Sequence, residues 1–367
     1  MMPRFIVASL ALSPFVGAAC TSFSVDAPAA NEMDAGSDAP SRSDADDADA
    51  LTSPSDAGPL RRLFVIGGAT DQGFTEKTYV GSIDLGGAIT WRGGPSLGTA
   101  LANGCAAAVG DRIHFVGGTG NFGAIPPGAL MRPDDVAPKW TDDVATAESR
   151  ILQGCAVDHD HLYVTGGLKA AAGPRVTTEV AAAGVDGRFR WSAGTNLLEG
   201  LQGHGSAIVS GRLFAIGNSS PCDSQISSAS ILTDGGLTAW VDAGSLPASR
   251  SDAAVVSGTD RIYIVGGLRG PMPCGQPSDS IDVLLIDPTT GLIRGATAER
   301  LLPETRTSHM ATIVGGRLYV LGGNAGASQS LTRSVISAVV LPDQSLGAWR
   351  EESNLPVPLS RFGLAVY

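Results

Sequence analysis

The chain has 367 residues, which suffices for one large core or for two or three ordinary domains. Its 48 glycines, 22 prolines and 5% aromatic content indicate short strands joined by tight turns and argue against long helices. The net charge is −11, of which residues 1–58 contribute −7 through two basic and nine acidic side chains. The remaining −4 leaves no basic stripe to neutralise phosphates, so we expect no nucleic-acid partner.

The first twenty residues have the pattern of a signal peptide. Arg4 precedes a mostly apolar stretch from Phe5 to Val16, which is too short to span a bilayer. The following Gly17-Ala18-Ala19-Cys20 resembles the bacterial lipoprotein box, although Gly17 stands where that box usually has Leu. The resemblance implies acylation of Cys20 and a membrane anchor, whereas plain cleavage near Ala19 would leave Cys20 unmodified.

Residues 21–58 form a segment rich in Asp, Ala, Ser and Pro with almost no bulky apolar side chain. Such a segment cannot bury enough surface to offset its ordering entropy, so we expect a disordered acidic linker. A tether that holds the folded domain away from a membrane is the favoured role. A partner-binding acidic tail is the alternative.

From residue 59 to residue 367 the chain repeats itself with a period near fifty. A unit of the type Arg-Leu-aromatic-Val-Ile-Gly-Gly occurs six times. It spans Arg62–Gly68, Arg112–Gly118, His161–Gly167, Arg212–Asn218, Arg261–Gly267 and Arg317–Gly323. Because consecutive positions of this unit are apolar, it predicts a central strand buried on both faces.

All five tryptophans occupy one phase of the same repeat: Trp91, Trp140, Trp191, Trp240 and Trp349. The fifth repeat keeps the preceding turn, Thr290-Gly291-Leu292-Ile293, but lacks the Trp. Each period reads as four strands, and four-stranded sheets repeated about an axis predict a β-propeller.

These residues resemble the kelch repeat, in which a Gly pair ends the second strand and a Trp lies in the outer strand. The resemblance implies an all-β, six-bladed propeller over residues 59–367. The folded region begins with a second strand and ends with a first-strand pattern, Ser360–Tyr367. We therefore expect the C-terminal strand to complete blade 1 and to close the ring without an open edge.

Four cysteines follow Cys20 in a chain that we expect to be exported, where disulfides are favoured. Cys105 and Cys155 lie at matching points of two first strands, and Cys222 and Cys274 lie in the loops of blades 4 and 5. If cysteines of neighbouring blades pair, the disulfides are Cys105–Cys155 and Cys222–Cys274. The first of these joins two strands and requires Cα atoms about 4.4–6.8 Å apart. Buried free thiols are the alternative.

Polar residues that recur at the first strands are the candidate ligand-binding residues. His204, Asp252 and His309 lie at similar places in blades 4, 5 and 6. No metal signature accompanies them, so structural roles are favoured, and a shared metal site is the alternative. Arg250, Arg306 and Arg361, like Arg150, precede first strands. Their expected role is to bond neighbouring backbone, with an anion-binding ring at the channel mouth as the alternative.

Some propellers that resemble this family are enzymes, including copper oxidases and sialic acid epimerases. Here no catalytic residue, metal or cofactor is predicted, because the tyrosines Tyr163, Tyr263 and Tyr319 belong to the core column and no nucleophile or phosphate motif is present. The leading hypothesis is a monomeric binding module of the bacterial cell envelope, lipid-anchored or secreted. It would hold a protein or glycan through loops 121–127, 219–224, 268–278 and 324–330. The alternatives are a carbohydrate-active enzyme with its site in the channel and a purely structural envelope component.

Overall fold

A computed structural model of the chain describes residues 61–120, 128–169, 172–219, 222–270 and 275–367. The predicted signal segment, the linker and Cys20 lie outside the described residues, as do Cys274 and loop residues 121–127. The described part contains no helix that is long and apolar enough to cross a membrane.

The described chain forms six four-stranded antiparallel sheets arranged as successive blades, as the repeat predicted. Blades 1 to 3 contain β1 (Arg61–Ile66), β2 (Ala69–Thr70), β3 (Gly73–Phe74), β4 (Thr78–Ile83) and β5 (Ile89–Gly93); β6 (Leu101–Val109), β7 (Arg112–Gly120), β8 (Ala129–Met131) and β9 (Thr141–Asp142); and β10 (Gly154–Asp158), β11 (His161–Thr165), β12 (Leu168–Lys169), β13 (Gly173–Pro174), β14 (Thr178–Ala183) and β15 (Phe189–Ala193).

Blades 4 to 6 follow the same plan. They contain β16 (Gly205–Val209), β17 (Arg212–Ser219), β18 (Cys222–Ser230) and β19 (Val241–Ser245); β20 (Arg250–Ser251), β21 (Ala254–Ser257), β22 (Arg261–Val265), β23 (Leu268–Arg269), β24 (Gln276–Pro277), β25 (Ile281–Ile286) and β26 (Ile293–Ala298); and β27 (Arg306–Thr307), β28 (Met310–Val314), β29 (Arg317–Leu321), β30 (Asn324–Ala325), β31 (Ser330–Leu331), β32 (Val335–Val340) and β33 (Leu346–Glu351).

The ring closes as predicted. The last strand, β34 (Gly363–Val366), pairs antiparallel with β1, so that Leu63 lies opposite Val366 and Ile66 lies opposite Gly363. Blade 1 therefore combines both ends of the described chain, in the order β34-β1-β4-β5. This pairing makes β1 an interior strand of its sheet, and β34 takes the inner edge position that a first strand holds in each of the other blades.

The hydrophobic core is divided into six clusters, one in each wedge between neighbouring blades. The second strand of each blade supplies residues to the wedges on both of its sides. In β1, for example, Leu63 and Val65 face blade 6 while Phe64 and Ile66 face blade 2. Burial on both faces explains why this strand is apolar at consecutive positions.

The Gly pair that ends each second strand is the contact point between blades. A Cβ on Gly67 or Gly322 would lie 2.5 Å from a carbonyl oxygen of the next blade, and the first glycines of the other pairs meet the same obstacle. The second glycine donates its N–H to that same carbonyl, as in Gly68 to Leu101 (2.7 Å) and Gly323 to Leu359 (2.7 Å). Only glycine permits this approach together with the positive φ found there.

Blade 4 has Asn218 in place of the second glycine, and the structure explains the exception. The side-chain oxygen Oδ1 of Asn218 accepts the backbone N–H of Gln202 at 3.2 Å, and the side-chain Nδ2 donates to the backbone carbonyl of Gly200 at 3.4 Å. The strand register shifts between Ile216 and Asn218. The buried side chain therefore makes bonds to the lead-in of its own blade that a glycine could not make.

A second set of contacts forms a closed ring of backbone hydrogen bonds around the propeller axis. In each blade one residue donates its N–H, at 3.0–3.4 Å, to the carbonyl of the corresponding residue in the preceding blade. In five of the six blades this residue lies two positions before the inner strand. All six residues have a positive φ: Asn103, Leu152, Gly203, Asp252, Ser308 and Arg361. We call these residues the axial ring.

The inner strands of blades 2 and 3 are joined by the disulfide Cys105–Cys155, with a Cα–Cα distance of 6.4 Å. This confirms the strand pair that the sequence suggested. Cys274 lies outside the described residues, so the 222–274 pair stays a prediction.

Replacing both Cys105 and Cys155 by Ala should lower the free energy of unfolding by about 2–4 kcal/mol, because the bond closes a loop of 50 residues in the unfolded chain. Urea unfolding under oxidising and reducing conditions measures the effect. In the reducing buffer the variant and the reduced parent protein should coincide, and a difference that persists there would contradict this account.

Candidate functional site

Three of the repeated arginines are buried parts of the blade framework. The side chains of Arg150, Arg250 and Arg306 are at most 2% exposed. Each donates to the carbonyl of the first glycine of its own pair, at 2.8, 2.8 and 3.3 Å, and each pairs with a carboxylate of its own blade or the segment leading into it. This is the backbone-bonding role that the sequence favoured, and Arg250 and Arg306 do not line a channel mouth together.

Arg361 does not belong with these three arginines. The backbone carbonyls of Arg150 and Arg306 each accept the N–H of the second glycine in the preceding blade. In blade 1 the carbonyl that does this is that of Leu359, which accepts the Gly323 N–H. Arg361 therefore lies two residues further along the repeat and is a member of the axial ring. Its Nε is buried without a hydrogen-bond partner among the described residues.

His204 and His309 fill the wedges between blades and are almost completely buried. His204 Nε2 lies 2.8 Å from Thr165 Oγ1 of blade 3, and the His309 ring abuts Gly266 of blade 5. Burial lowers the pKa of both rings to about 3, so both are neutral at physiological pH. Their place in the structure is that of interblade packing residues.

Asp252 occupies a different position of the repeat from the two histidines. It is a member of the axial ring, whereas Ala253 is the residue that aligns with His204 and His309. Because a shift of one residue redirects a side chain, the three do not form one set. Within the described residues no group of three His, Cys, Asp or Glu side chains is arranged to hold a metal ion.

The carboxylate of Asp252 is an unsatisfied polar group near the axis. The residue is 1% exposed, and neither carboxylate oxygen has a hydrogen-bond partner in the described part of the chain. Burial raises the pKa of Asp252 to about 7, and the positive charge of Arg361 partly opposes the shift. The carboxyl group therefore gains a negative charge only near neutral pH.

A cavity of about 400 Å³ opens between blades 5 and 6, at the end of the blades where the Gly pairs lie. We call it the Trp349 pocket. Its lining residues are Pro303, Glu304, Arg306, Ser334, Ile336, Trp349, Arg350 and Glu351. The volume lies within the usual range for sites that bind small organic ligands.

The half-buried indole of Trp349 is held in place in this pocket because its Nε1 donates to the Leu301 carbonyl at 2.8 Å. Glu304 accepts a bond from the buried Arg306 at 2.9 Å and is 42% exposed. Arg350 is 45% exposed and bonds to Glu352, while Glu351 is exposed at the edge. The pocket thus combines an aromatic surface with two carboxylates, the exposed guanidinium group of Arg350 and the hydroxyl of Ser334, while Arg306 is buried in its wall.

The pocket adjoins one of the predicted binding loops. Glu304 reaches towards Gly326 in the hairpin formed by β30 and β31, where a Cβ would lie 3.7 Å from Glu304 Oε2. The equivalent hairpins β2–β3, β12–β13 and β23–β24 lie at the same end of their blades. We call this end the hairpin face. Loop residues 220–221 and 271–274 lie outside the described residues.

Comparison with known proteins agrees with the fold. Residues 249–287 match the Kelch motif. The solved structure of YjhT is similar, with a TM-score of 0.54 and 15% identity over 72% of this chain and 87% of that chain. The domain has a kelch-like propeller fold. No curated protein matched the sequence, so the comparisons establish the fold of this propeller and not its activity.

Sequence reasoning placed Trp349 in the outer strand of its blade and did not single out its neighbours. The signal was available in the residues after each Trp of the propeller. Blade 6 continues Trp349-Arg350-Glu351-Glu352, whereas blade 3 continues Trp191-Ser192-Ala193. Blade 2 also has acidic residues near this place, Asp142 and Asp143, but only in blade 6 do three charged residues directly follow the Trp.

The variant Asp252→Asn should be more stable than the parent protein at pH 8 by on the order of 2–4 kcal/mol, because it removes a buried negative charge. The raised pKa means that the parent loses stability as the pH rises from about 4 to about 7. At pH 4 the advantage of the variant should largely disappear. Urea unfolding at both pH values measures the difference.

The histidines do not interfere with this comparison. Their lowered pKa makes stability fall as the pH drops from about 6.5 towards 3, but this contribution is present in both proteins and cancels. An advantage of Asp252→Asn that is independent of pH, or a loss of stability at pH 8, would contradict the assignment.

Proposed function

We propose that the protein is a glycan-binding module of the bacterial cell envelope, with its binding site in the Trp349 pocket. The observation that carries the proposal is the composition of the pocket: an immobilised indole beside carboxylates, guanidinium groups and a hydroxyl, in a cavity of about 400 Å³. We favour this over a channel enzyme because the polar candidates of the inner strands are packed inside the wedges or in the axial ring.

A sugar ring suits this chemistry. Its hydroxyl groups donate as well as accept hydrogen bonds, so they can bind carboxylate acceptors and guanidinium donors in one site. Its C–H faces are apolar enough to lie on an aromatic ring. The charges at the pocket are largely paired, Glu304 with the buried Arg306 and Arg350 with Glu352, which favours a neutral polyol over a strongly charged ligand.

The course of the chain supports a tethered arrangement. Strand β1 begins at Arg61 and runs towards the Gly pair, so the chain enters the propeller at the end opposite the hairpin face. The linker of residues 21–58, attached at that end, would leave the hairpin face and the Trp349 pocket directed away from the anchor. Acylation of Cys20 would supply that anchor, at roughly 0.8 kcal/mol for each buried methylene.

A glycan array probed with the purified full-length protein should identify bound sugars, and calorimetry should then give the affinity. Glu351→Gln should weaken the best ligand about 10-fold, because it removes a charged hydrogen-bond acceptor that has no described structural partner. Asp142→Asn is the matched control, since Asp142 follows Trp140 at the same spacing and is also exposed. Absence of any bound glycan, or equal losses in both variants, would refute the proposal.

Anchoring is tested separately by metabolic labelling with an alkynyl fatty acid in a bacterial host. The parent protein should be labelled and recovered with membranes. Cys20→Ser should abolish the label and release the protein from the membrane fraction. A serine variant that still sediments with membranes would show that the attachment does not depend on Cys20.

A further inference from the structure

The outer rim of the propeller carries a repeated aromatic bond between neighbouring blades. At five junctions the outer-strand indole donates its Nε1 hydrogen to a carbonyl of the preceding blade at 2.8–3.2 Å. The pairs are Trp91–Ser353, Trp140–Pro95, Trp191–Val144, Trp240–Thr195 and Trp349–Leu301. The junction between blades 4 and 5 has no such indole, because blade 5 contains no Trp.

The strand register identifies which residue replaces it. Trp91, Trp191 and Trp349 lie opposite Gly81, Ala181 and Ala338, whose small side chains leave room for the indole. In blade 5 the corresponding pair is Ala296 opposite Leu284. In blade 5 the large side chain is therefore on the third strand and the small one on the fourth. Leu284 is buried and fills the centre of this face of the blade in place of an aromatic ring.

The outer part of the same junction is left open. A cavity of about 220 Å³ lies there, lined by Phe214, Ser228, Val241, Asp242, Ala243 and Ile293. We call it the blade 4/5 cavity. Val241 is 47% exposed at its edge, and Leu292, 51% exposed, also borders the cavity. Large apolar side chains exposed around a concave surface are typical of ligand sites.

A second repeated group is also missing at this place. Between blades 2 and 3, Asp143 accepts the backbone N–H of Phe189 at 3.2 Å, and between blades 5 and 6, Glu299 accepts that of Leu346 at 3.1 Å. Three residues after the Trp position, where these carboxylates lie, blade 4 has Ala243, and blades 1 and 3 have Gly94 and Gly194. The blade 4/5 cavity therefore lies at the junction that has neither the indole nor a carboxylate at this position.

We propose that the blade 4/5 cavity binds a small planar aromatic ligand that carries an N–H donor, such as an indole. An apolar cavity of about 150 Å³ is large enough to bind benzene, so 220 Å³ can hold a two-ring compound. Phe214, Val241 and Ile293 provide apolar contacts for its faces. Asp242 accepts one bond from the Gly244 N–H at 2.8 Å and, as a carboxylate, has capacity for a further donor.

The test uses indole itself, titrated into the purified full-length protein and followed by ligand-observed NMR. We expect saturable binding with a dissociation constant on the order of 1 mM, as befits a ligand of nine heavy atoms. Ala243→Leu should fill the cavity and weaken binding at least about 10-fold. Ala193→Leu, the same change at an exposed site on the outer strand of blade 3, should leave binding unchanged.

A second ligand tests the proposed donor. 1-Methylindole has the same ring but no N–H, and it should bind about 5-fold more weakly than indole if the ring donates to Asp242. Equal affinity of the two compounds would overturn the donor assignment. No saturable binding of indole, or unchanged binding in a folded Ala243→Leu variant, would overturn the site as a whole. Neither result bears on the Trp349 pocket, which lies at another junction.

Discussion

The close backbone contact between successive blades is the constraint on which the rest of this structure depends. Each blade presents a carbonyl oxygen to the Gly pair of its neighbour, at a distance that excludes a Cβ. Nearer the axis, the axial ring pairs the N–H of one blade with the carbonyl of the preceding blade all the way round. Five of its six residues are not glycine, and each left-handed conformation costs roughly 1–2 kcal/mol.

The ring is stable in spite of that strain because the alternative is worse. A buried N–H or carbonyl without a partner costs about 1–3 kcal/mol, and the ring satisfies one of each in every blade. Leu152 is the clearest example, since a branched apolar residue has no intrinsic preference for a positive φ. Closure by β34 completes this circuit, because Arg361, which precedes β34, is the link between Ser308 and Asn103.

Departures from the repeat are more informative than the repeat itself. The arginines, the tyrosine hydroxyl bonds and the tryptophan bonds recur from blade to blade, which is what a structural role requires. The two cavities occur where the pattern changes: a charged run follows Trp349 in blade 6, and blade 5 lacks its Trp while blade 4 lacks its carboxylate. Asp252 is another departure, a single acid in a ring whose neighbours in space are backbone groups and Arg361.

The sequence alone determined the fold class, the number of blades, the closure by the last strand and one disulfide, because these follow from a period of about fifty residues and from local turn and strand patterns. It misaligned Asp252 with His204, and Arg361 with Arg306, by one or two positions, since similar residue types near a strand start look equivalent in a linear repeat. Only the tertiary structure decided their register, and in a strand one position changes the direction of a side chain. It also decided where cavities form, because the blade 4/5 cavity joins Phe214 of blade 4 to Ile293 of blade 5, about eighty positions away, and the Trp349 pocket joins the outer strands of blade 6 to the segment that leads into that blade.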